Sequence, residues 1–367
     1  MSGYCFASDE SEIMDSQKEA LGISSFIEES NKYSKDFFSD LDVQDLFNSA
    51  VTGKIDNQKI FHGIFSFLGQ EVVNSITVVG SILVVIVIHS ILKSIGENLG
   101  NENVSKIIYY VQYIMIVTLI MTNFSDIIRV TRDSINNLIG FMNTLVPLLM
   151  TLMLATGNIA STTMLQPIII FLITFIGNFI SGVIMPFLLV GTALGIVSQI
   201  SDKVQIGKLS KFFNSSIVWM LGIILTIFVG VVSLEGTLTS SVDGITAKTT
   251  KAAVSSFIPV VGKILGDAVD SVLGCAGILK NAVGIVGVVI IIGICIGPIL
   301  KLAVLTMLYT LTAALCQPIA DEKIVTLIGN MASTFKVLLA ILCSISVMLI
   351  IGVTLVINIS NSGLMYR

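Results

Sequence analysis

The residues best placed to do chemistry in this chain are three charged side chains in one short stretch. Lys263, Asp267 and Asp270 recur at spacings of four and three residues, which put them on one face of a predicted helix. Two carboxylates work as an acid–base pair when they face each other across a site. Here both lie on one helix, with the lysine one turn before Asp267 to neutralise it. The pattern favours a salt-linked polar face over catalysis, so we treat these residues as candidates for a pathway or an assembly contact.

Other catalytic patterns are missing from the sequence. No glycine-rich loop ends in Lys-Ser or Lys-Thr, no HExxH run occurs, and no serine combines with a histidine in a nucleophile motif. The two histidines, His62 and His89, are far apart and have no cysteine beside them. Four of the five cysteines fall in or next to apolar runs, where cysteine behaves as a small apolar residue. We therefore expect neither an enzyme nor a bound cofactor or metal.

The charged triplet belongs to a predicted amphipathic broken hairpin at residues 235–280. Opposite the triplet, apolar residues recur at helical spacing from Val260 to Leu273. Pro259 joins the two helices, because a proline cannot donate the backbone bond that would continue the first one. Breaks at membrane depth persist only when protein shields them or a watery cavity lies beside them. A hairpin lying flat on the bilayer surface is the alternative.

Composition indicates an all-α, polytopic membrane protein. The chain is 54% hydrophobic and 12% charged, with a mean hydropathy of +0.94. Several uncharged runs reach the length of about 18 residues or more that crosses a bilayer. We predict about 7–9 membrane segments within residues 71–360, several of them broken at proline. Neither part of the chain has the Lys/Arg density of a nucleic-acid binder.

Residues 1–70 differ from the rest in charge. They hold 12 acidic and 5 basic residues, net −7, whereas the remainder carries a net +3. Short apolar pairs such as Phe37-Phe38 predict small helices that dock on a partner or on the membrane surface. We expect the first residues to form a short disordered tail. The alternative is an N-terminus that followed a lost signal peptide, because Cys5-Phe6-Ala7 is similar to the end of a signal-peptide cleavage site.

Four prolines suggest an internal duplication. Pro147 and Pro186 are 39 positions apart, and Pro259 and Pro298 are separated by the same 39 positions. Each predicted unit, at about 107–212 and 217–325, would contain a span, a segment broken at a proline, a long helix broken at a second proline, and a charged loop. Paired broken helices point to a central pathway in transporter folds, so we take the prolines as candidate hinges. Chance similarity between apolar sequences is the alternative.

Lysines predict the orientation. Three loops, at residues 93–106, 201–211 and 320–336, contain lysines and would be equivalent in the two units. The positive-inside rule puts such loops in the cytoplasm. The acidic N-terminal segment and Arg367 would then lie outside. Whether the two units are parallel or inverted depends on whether residues 138–155 cross the membrane.

Four ordered strings carry a family resemblance. They are AVSSFIPVVGKILGDAVDSVLGCAGILKNAV at 253–283, LGIVSQISDKVQIGKLSKFF at 194–213, TIFVGVVSLEG at 226–236 and AALCQPIADEKIV at 313–325. These strings resemble the stage III sporulation protein AE family of endospore-forming bacteria, and the similarity covers roughly residues 70–360. Because the family has no catalytic motif, the resemblance implies a role and no active-site residues.

That resemblance implies a place and partners. The chain would lie in the mother-cell membrane surrounding the forespore, within a channel or secretion apparatus. The other members would be further stage III A-operon proteins, including an ATPase subunit, and the forespore protein SpoIIQ. A self-contained secondary transporter or permease for a small solute is the different-class alternative, and a structural anchor that recruits other subunits is a third.

Overall fold

Helices account for all the regular structure in the described residues. The computed structural model describes residues 16–34, 43–53, 57–98, 102–199, 206–257 and 261–365. The helices are α1 (Ile23–Ser34), α2 (Val43–Thr52), α3 (Asn57–Asn98), α4 (Glu102–Ala155), α5 (Ile159–Phe179), a π-helical turn (Ile180–Ile184), α6 (Met185–Val197), α7 (Gly207–Phe257), α8 (Val261–Cys316) and α9 (Glu322–Met365). The predicted all-α class is confirmed.

Six helical stretches in the described residues are long and apolar enough to cross a membrane. They are Leu68–Ile88, Tyr113–Ala155, Ile159–Val197, Gly207–Leu234, Val272–Cys316 and Glu322–Ile359. This confirms a polytopic membrane protein, with fewer candidate spans than the 7–9 predicted segments. The difference arises because single helices continue through polar interruptions. In α4, Arg129 Nη2 pairs with Asp126 Oδ1 at 3.2 Å across one turn, as the spacing predicts, without ending the helix.

The long helices exceed the thickness of one bilayer. Helix α4 has 54 residues and α8 has 56. At a rise of about 1.5 Å per residue, each is roughly 80 Å long, against a hydrocarbon core of about 30 Å. Both helices therefore extend well outside the hydrocarbon core, and the bundle has a substantial part beyond the lipid tails.

Two of the predicted proline breaks do not form. Pro147 lies inside α4 and Pro298 lies inside α8, and both helices continue past them. A proline removes one backbone hydrogen bond from a helix. If the helix opened there, the other backbone groups of that turn would also lose their partners, which is costly in apolar surroundings. The helix therefore continues with one bond missing. At Pro186 the chain does depart from α-helix. The N–H of Met185 donates to the carbonyl of Ile180, five residues earlier, in a π-turn directly before the proline.

Helix α8 is the centre of the bundle and packs against α1, α2, α3, α4, α7 and α9. The rings of Tyr309 and Phe335 lie 5.0 Å apart near one end of the α8–α9 pair. A Cβ at Gly284 would collide with Ile357 near the other end. Because residue numbers rise along α8 while they fall along α9, these two helices run antiparallel.

Glycines let the helices approach closely. A Cβ at Gly287 of α8 would lie 2.6 Å from Leu145 Cδ2 on α4, and one at Gly177 of α5 would collide with Ile139 of α4. In lipid, no hydrophobic force drives helices together. Small residues stabilise such contacts instead, because they allow close van der Waals packing between the helices. The side-chain packing of α4 against its neighbours therefore depends on positions without a side chain.

The two N-terminal helices dock on this bundle. Phe26 and Tyr33 of α1 place their rings 6.1 and 5.8 Å from the ring of Phe141 on α4. Before α1, Gln17 Nε2 donates to the carbonyl of Val272 on α8 at 3.2 Å. Docking was predicted, but on a partner or on the membrane surface. Within the described residues, the binding surface is the chain's own α4 and α8, because these helices extend far enough to offer an apolar groove.

The chain forms two successive helical hairpins, α4 with α5–α6 and α7 with α8. The first one turns at Gly157, whose φ of 82° ends α4, while Asn158 N–H donates to the Met153 carbonyl at 3.0 Å. In the second one, α7 ends at Phe257 and α8 begins at Val261. The two predicted repeat units stay a prediction.

A charged cavity as candidate functional site

A polar cavity of about 320 Å³ lies where α1, α3, α4 and α8 meet. Its charged side chains are Glu71, Asp133 and Lys301, each from a different helix. Each of the three residues also lies inside a stretch apolar enough to cross a membrane. Charged residues in such stretches are costly and usually serve a function with a nearby partner. The cavity is therefore the strongest candidate functional site in the described part of the chain.

An ion pair crosses the cavity between α3 and α8. Lys301 Nζ lies 3.7 Å from Glu71 Oε1, and Ser75 Oγ donates to the same oxygen at 3.4 Å. The side chain of Glu71 is only 10% exposed, and that of Lys301 is 35% exposed. Burial of a carboxylate at this depth requires a positive partner. The pair therefore joins the first candidate span to the central helix.

Helix α4 contributes the polar wall. Asp133, Ser134 and Asn137 line the cavity, and Ser134 Oγ donates to the Val130 carbonyl at 2.8 Å, one turn earlier. Asp133 is exposed and makes no ion pair with another described residue. The carboxylate of Asp133 is thus available to a solute, a partner or Lys301 after a small movement.

Tyr33 of α1 closes one side of the cavity. The contact depends on Gly140 of α4, where a Cβ would lie 2.9 Å from the Tyr33 hydroxyl oxygen. The N-terminal segment therefore forms part of the site, because Tyr33 reaches the same cavity as the charges on three membrane helices.

The predicted candidate residues are distributed unevenly with respect to this cavity. Pro298 lines it, next to Gly297 on α8. Pro147 is exposed on α4 and Pro186 begins α6, and neither lines the cavity. Pro259 lies outside the described residues. Lys263, Asp267 and Asp270 are on α8, but their side chains also lie outside the described part, so their polar face stays a prediction.

Sequence reasoning missed Glu71 and Lys280. Glu71 looked like the polar edge of an apolar run, although it sits within the candidate span Leu68–Ile88. Lys280 of α8 is fully buried, at 0% exposure. The signal available in both cases was a single charge inside a long apolar helix, which marks either a functional group or a packed polar contact.

The role of Pro298 can be tested against Pro147. We expect Pro298→Ala to leave the protein inserted and abundant but to impair its function in the cell, because the substitution changes the one proline that lines the charged cavity among the described residues. Pro147→Ala is the matched control, since it also lies inside a continuous helix but away from the cavity. Membrane abundance and complementation of cells that lack the chain measure both. Equal complementation by the two variants would remove the hinge hypothesis at Pro298.

Comparison with known proteins gives one consistent result. The family described as "Stage III sporulation protein AE (spore_III_AE)" matches residues 41–360. The curated protein named "Stage III sporulation protein AE" of Bacillus subtilis (strain 168) is 30% identical over 310 residues, covering 84% of this chain and 78% of the relative. No solved structure matches. The match includes α2 and nearly all of the membrane bundle, together with the three cavity charges. This chain belongs to the stage III sporulation protein AE family.

Proposed function

We propose that this protein is an integral membrane subunit of the channel or secretion apparatus between mother cell and forespore during endospore formation. The family match over residues 41–360 carries the proposal. Six candidate spans, three of which line a charged cavity, are consistent with a subunit that forms or gates part of a passage. The protein would reside in the mother-cell membrane that surrounds the forespore.

In this proposal the chain is not an enzyme and acts with partners. The other stage III A-operon proteins, including an ATPase subunit, would supply energy and the remaining structure, and SpoIIQ would meet them from the forespore. The contribution of this chain would be mechanical. Its ion pair between α3 and α8, together with Tyr33 of α1, would link the N-terminal helices to the central helix.

Purification from sporulating cells tests the proposed function. The full chain with an affinity tag is recovered after membrane-permeable cross-linking, and an unrelated multi-span membrane protein with the same tag is the control. We expect the stage III A-operon proteins and SpoIIQ to be enriched over that control. Absence of all of them, with normal spore formation in cells lacking the chain, would contradict the proposal.

A second candidate function is secondary transport of a small solute. The specific observation in its favour is the meeting of Glu71, Asp133 and Lys301 in one cavity, since charged groups inside membrane helices mark substrate and ion pathways in transporters. A transporter would move its solute when the purified chain alone is reconstituted in vesicles. A subunit of an apparatus would need its partners, so the two functions give different results in that assay.

Orientation is part of the proposal and can be tested at exposed positions. Lys208 begins α7 beside the lysine-containing loop, and Lys32 lies on α1; both are exposed. With the native cysteines replaced and the chain produced in vegetative cells, whose cell membrane exposes its outer side to the reagent, we expect an impermeant thiol reagent on intact cells to label Lys32→Cys and not Lys208→Cys, following the positive-inside rule. Labelling of both positions after membrane permeabilisation is the control. The reverse pattern on intact cells would invert the proposed topology.

A further inference from the structure

A second polar cavity lies at the end of the bundle where α6 ends and α7 begins. Its volume is about 150 Å³, and helices α6, α7 and α9 form its walls. The polar side chains around it are Thr192, Ser210, Lys211, Asn214, Asn330 and Thr334. No carboxylate lines the cavity. Its chemistry is therefore that of hydrogen-bond donors and one cation, a combination that suits an anion.

The hydroxyl groups of this cavity are used for helix packing. Ser210 Oγ donates to the Gly191 carbonyl of α6 at 2.6 Å, and Thr192 Oγ1 donates to the Leu188 carbonyl at 2.8 Å. Thr334 Oγ1 donates to the Asn330 carbonyl at 3.1 Å on α9. These bonds fix the walls and leave other groups for a ligand. The Lys211 ammonium and the Asn330 side-chain amide make no hydrogen bond or ion pair with any described residue.

The described residues around this cavity carry positive charge. Helix α6 carries no charged residue, and the first 28 residues of α7, Gly207–Leu234, contain only Lys208 and Lys211. On α9, Lys336 is exposed one turn beyond Ser333, which also lines the cavity. Glu322 is the nearest carboxylate along α9, eight residues before Asn330 and about 12 Å away along the helix axis. An anion near the cavity therefore meets lysines from two helices.

A shallow, open apolar groove of about 450 Å³ follows on the outward face of α7. Val218, Trp219, Gly222, Ile223, Thr226 and Ile227 line it. A Cβ at Gly222 would meet no atom within 4 Å, so the missing side chain leaves the groove open. Trp219 is 72% exposed there. The groove therefore presents an accessible apolar surface along the outside of the bundle.

The cavity and the groove adjoin along one face of α7. Lys211, Val218 and Gly222 share a face of α7, because spacings of seven and four residues return to the same side of a helix. From Lys211 to Ile227 the helix rises about 24 Å, close to the length of an extended acyl chain. A cationic, donor-rich cavity followed by an apolar groove of this length matches a molecule with an anionic head and a long apolar tail.

We propose that this end of the bundle binds an anionic phospholipid, with its phosphate at the cavity between α6, α7 and α9 and an acyl chain along the groove of α7. Basic pockets between membrane helices are a recognised way of holding such headgroups. A soluble anion would not need the groove, and an apolar peptide would not need the lysines. Bound lipid would hold the first turns of α7 against α6 and α9.

The single tryptophan of the chain makes the test direct, because Trp219 lies in the groove. The full-length protein is reconstituted in vesicles of phosphatidylcholine with a varied fraction of phosphatidylglycerol, and each lipid in turn carries brominated acyl chains. Quenching of Trp219 fluorescence then reports which lipid is in contact. We expect phosphatidylglycerol to be preferred over phosphatidylcholine by about fivefold, the effect of one lysine near an anionic headgroup.

Variants separate the headgroup site from a general lipid contact. Lys211→Gln should reduce the preference to about one, while Lys211→Arg should keep it, since the charge is retained. Lys32→Gln removes a lysine elsewhere and should change nothing. Gly222→Leu should fill the groove and weaken quenching, whereas Gly230→Leu, at an equally open position on the same helix, should not. Every variant is first checked for a single elution peak in size-exclusion chromatography.

Four results would overturn the proposal. The first is equal quenching by the two lipids in the unmodified protein. The second is an undiminished preference in Lys211→Gln. The third is loss of the preference on adding glycerol phosphate at concentrations equal to the lipid, which would assign the cavity to a soluble anion. The fourth is an absence of quenching by either lipid, which would show that protein covers the groove.

Discussion

Lys301→Glu is expected to remove most of the folded protein from the membrane. The substitution would bring a second carboxylate to Glu71, whose side chain is 10% exposed, in a cavity that Asp133 also lines. Breaking a buried ion pair costs on the order of 3–5 kcal/mol, and the 35% exposure of Lys301 places this pair near the lower end of that range. The amount of membrane-inserted protein and the heat-resistant spore count measure the effect.

A charge swap distinguishes the ion pair from general damage. Glu71→Lys combined with Lys301→Glu restores one positive and one negative group across the cavity, so the double variant should recover protein that each single variant loses. Lys32→Glu, at an exposed lysine on α1, is the control and should be nearly neutral. If Lys301→Glu behaves like Lys32→Glu, the pair does not contribute to the structure. If the swap recovers protein abundance but not spore formation, function depends on which of the two helices carries the positive charge.

Gly287→Leu is expected to separate α4 from α8. Even a single added carbon would lie 2.6 Å from Leu145 Cδ2, and Leu145 is fully buried. Overfilling a packed contact typically costs about 1–3 kcal/mol, and a leucine adds three further carbons beyond the one that already collides. The thermal midpoint of aggregation of the purified protein in detergent should fall markedly, and less protein should reach the membrane.

The same substitution at Gly230 is the control for this effect. A Cβ at Gly230 of α7 meets no atom within 4 Å, so Gly230→Leu adds the same side chain without a collision. Shortening the opposing residue should compensate at the first site. Leu145→Ala combined with Gly287→Leu is expected to be more stable than Gly287→Leu alone. Equal midpoints for the 287 and 230 variants would show that α4 and α8 do not approach as closely as described.

Several features of this protein were determined by the sequence alone. Composition and apolar run length establish an all-α membrane protein, because the transfer of a helix into lipid depends mainly on its own residues. Local geometry was readable too. Pro186 was predicted to break its helix, and it marks the place where the helix widens into a π-turn. The four strings between 194 and 325 were sufficient for the family.

Other features were decided by the tertiary structure. Pro147 and Pro298 carry the same local signal as Pro186, yet the helices around them continue. The sequence shows only the hydrogen bond that a proline removes, whereas the packing around it decides whether the turn opens. The N-terminal helices were predicted to dock, but not where. The groove between α4 and α8 exists only once both helices have assembled.

The charged cavity is the clearest case of this division. The cavity brings together Tyr33, Glu71, Asp133 and Lys301, which are far apart in the chain, and nothing in the local sequence of any of them indicates a shared site. Hydropathy and helical periodicity evaluate one helix at a time. The pairing of Glu71 with Lys301 depends on which faces of α3 and α8 meet, and close approach at glycines sets how nearby helices pack. The sequence by itself therefore determines that charges are present in the membrane helices, and the tertiary structure determines that they meet.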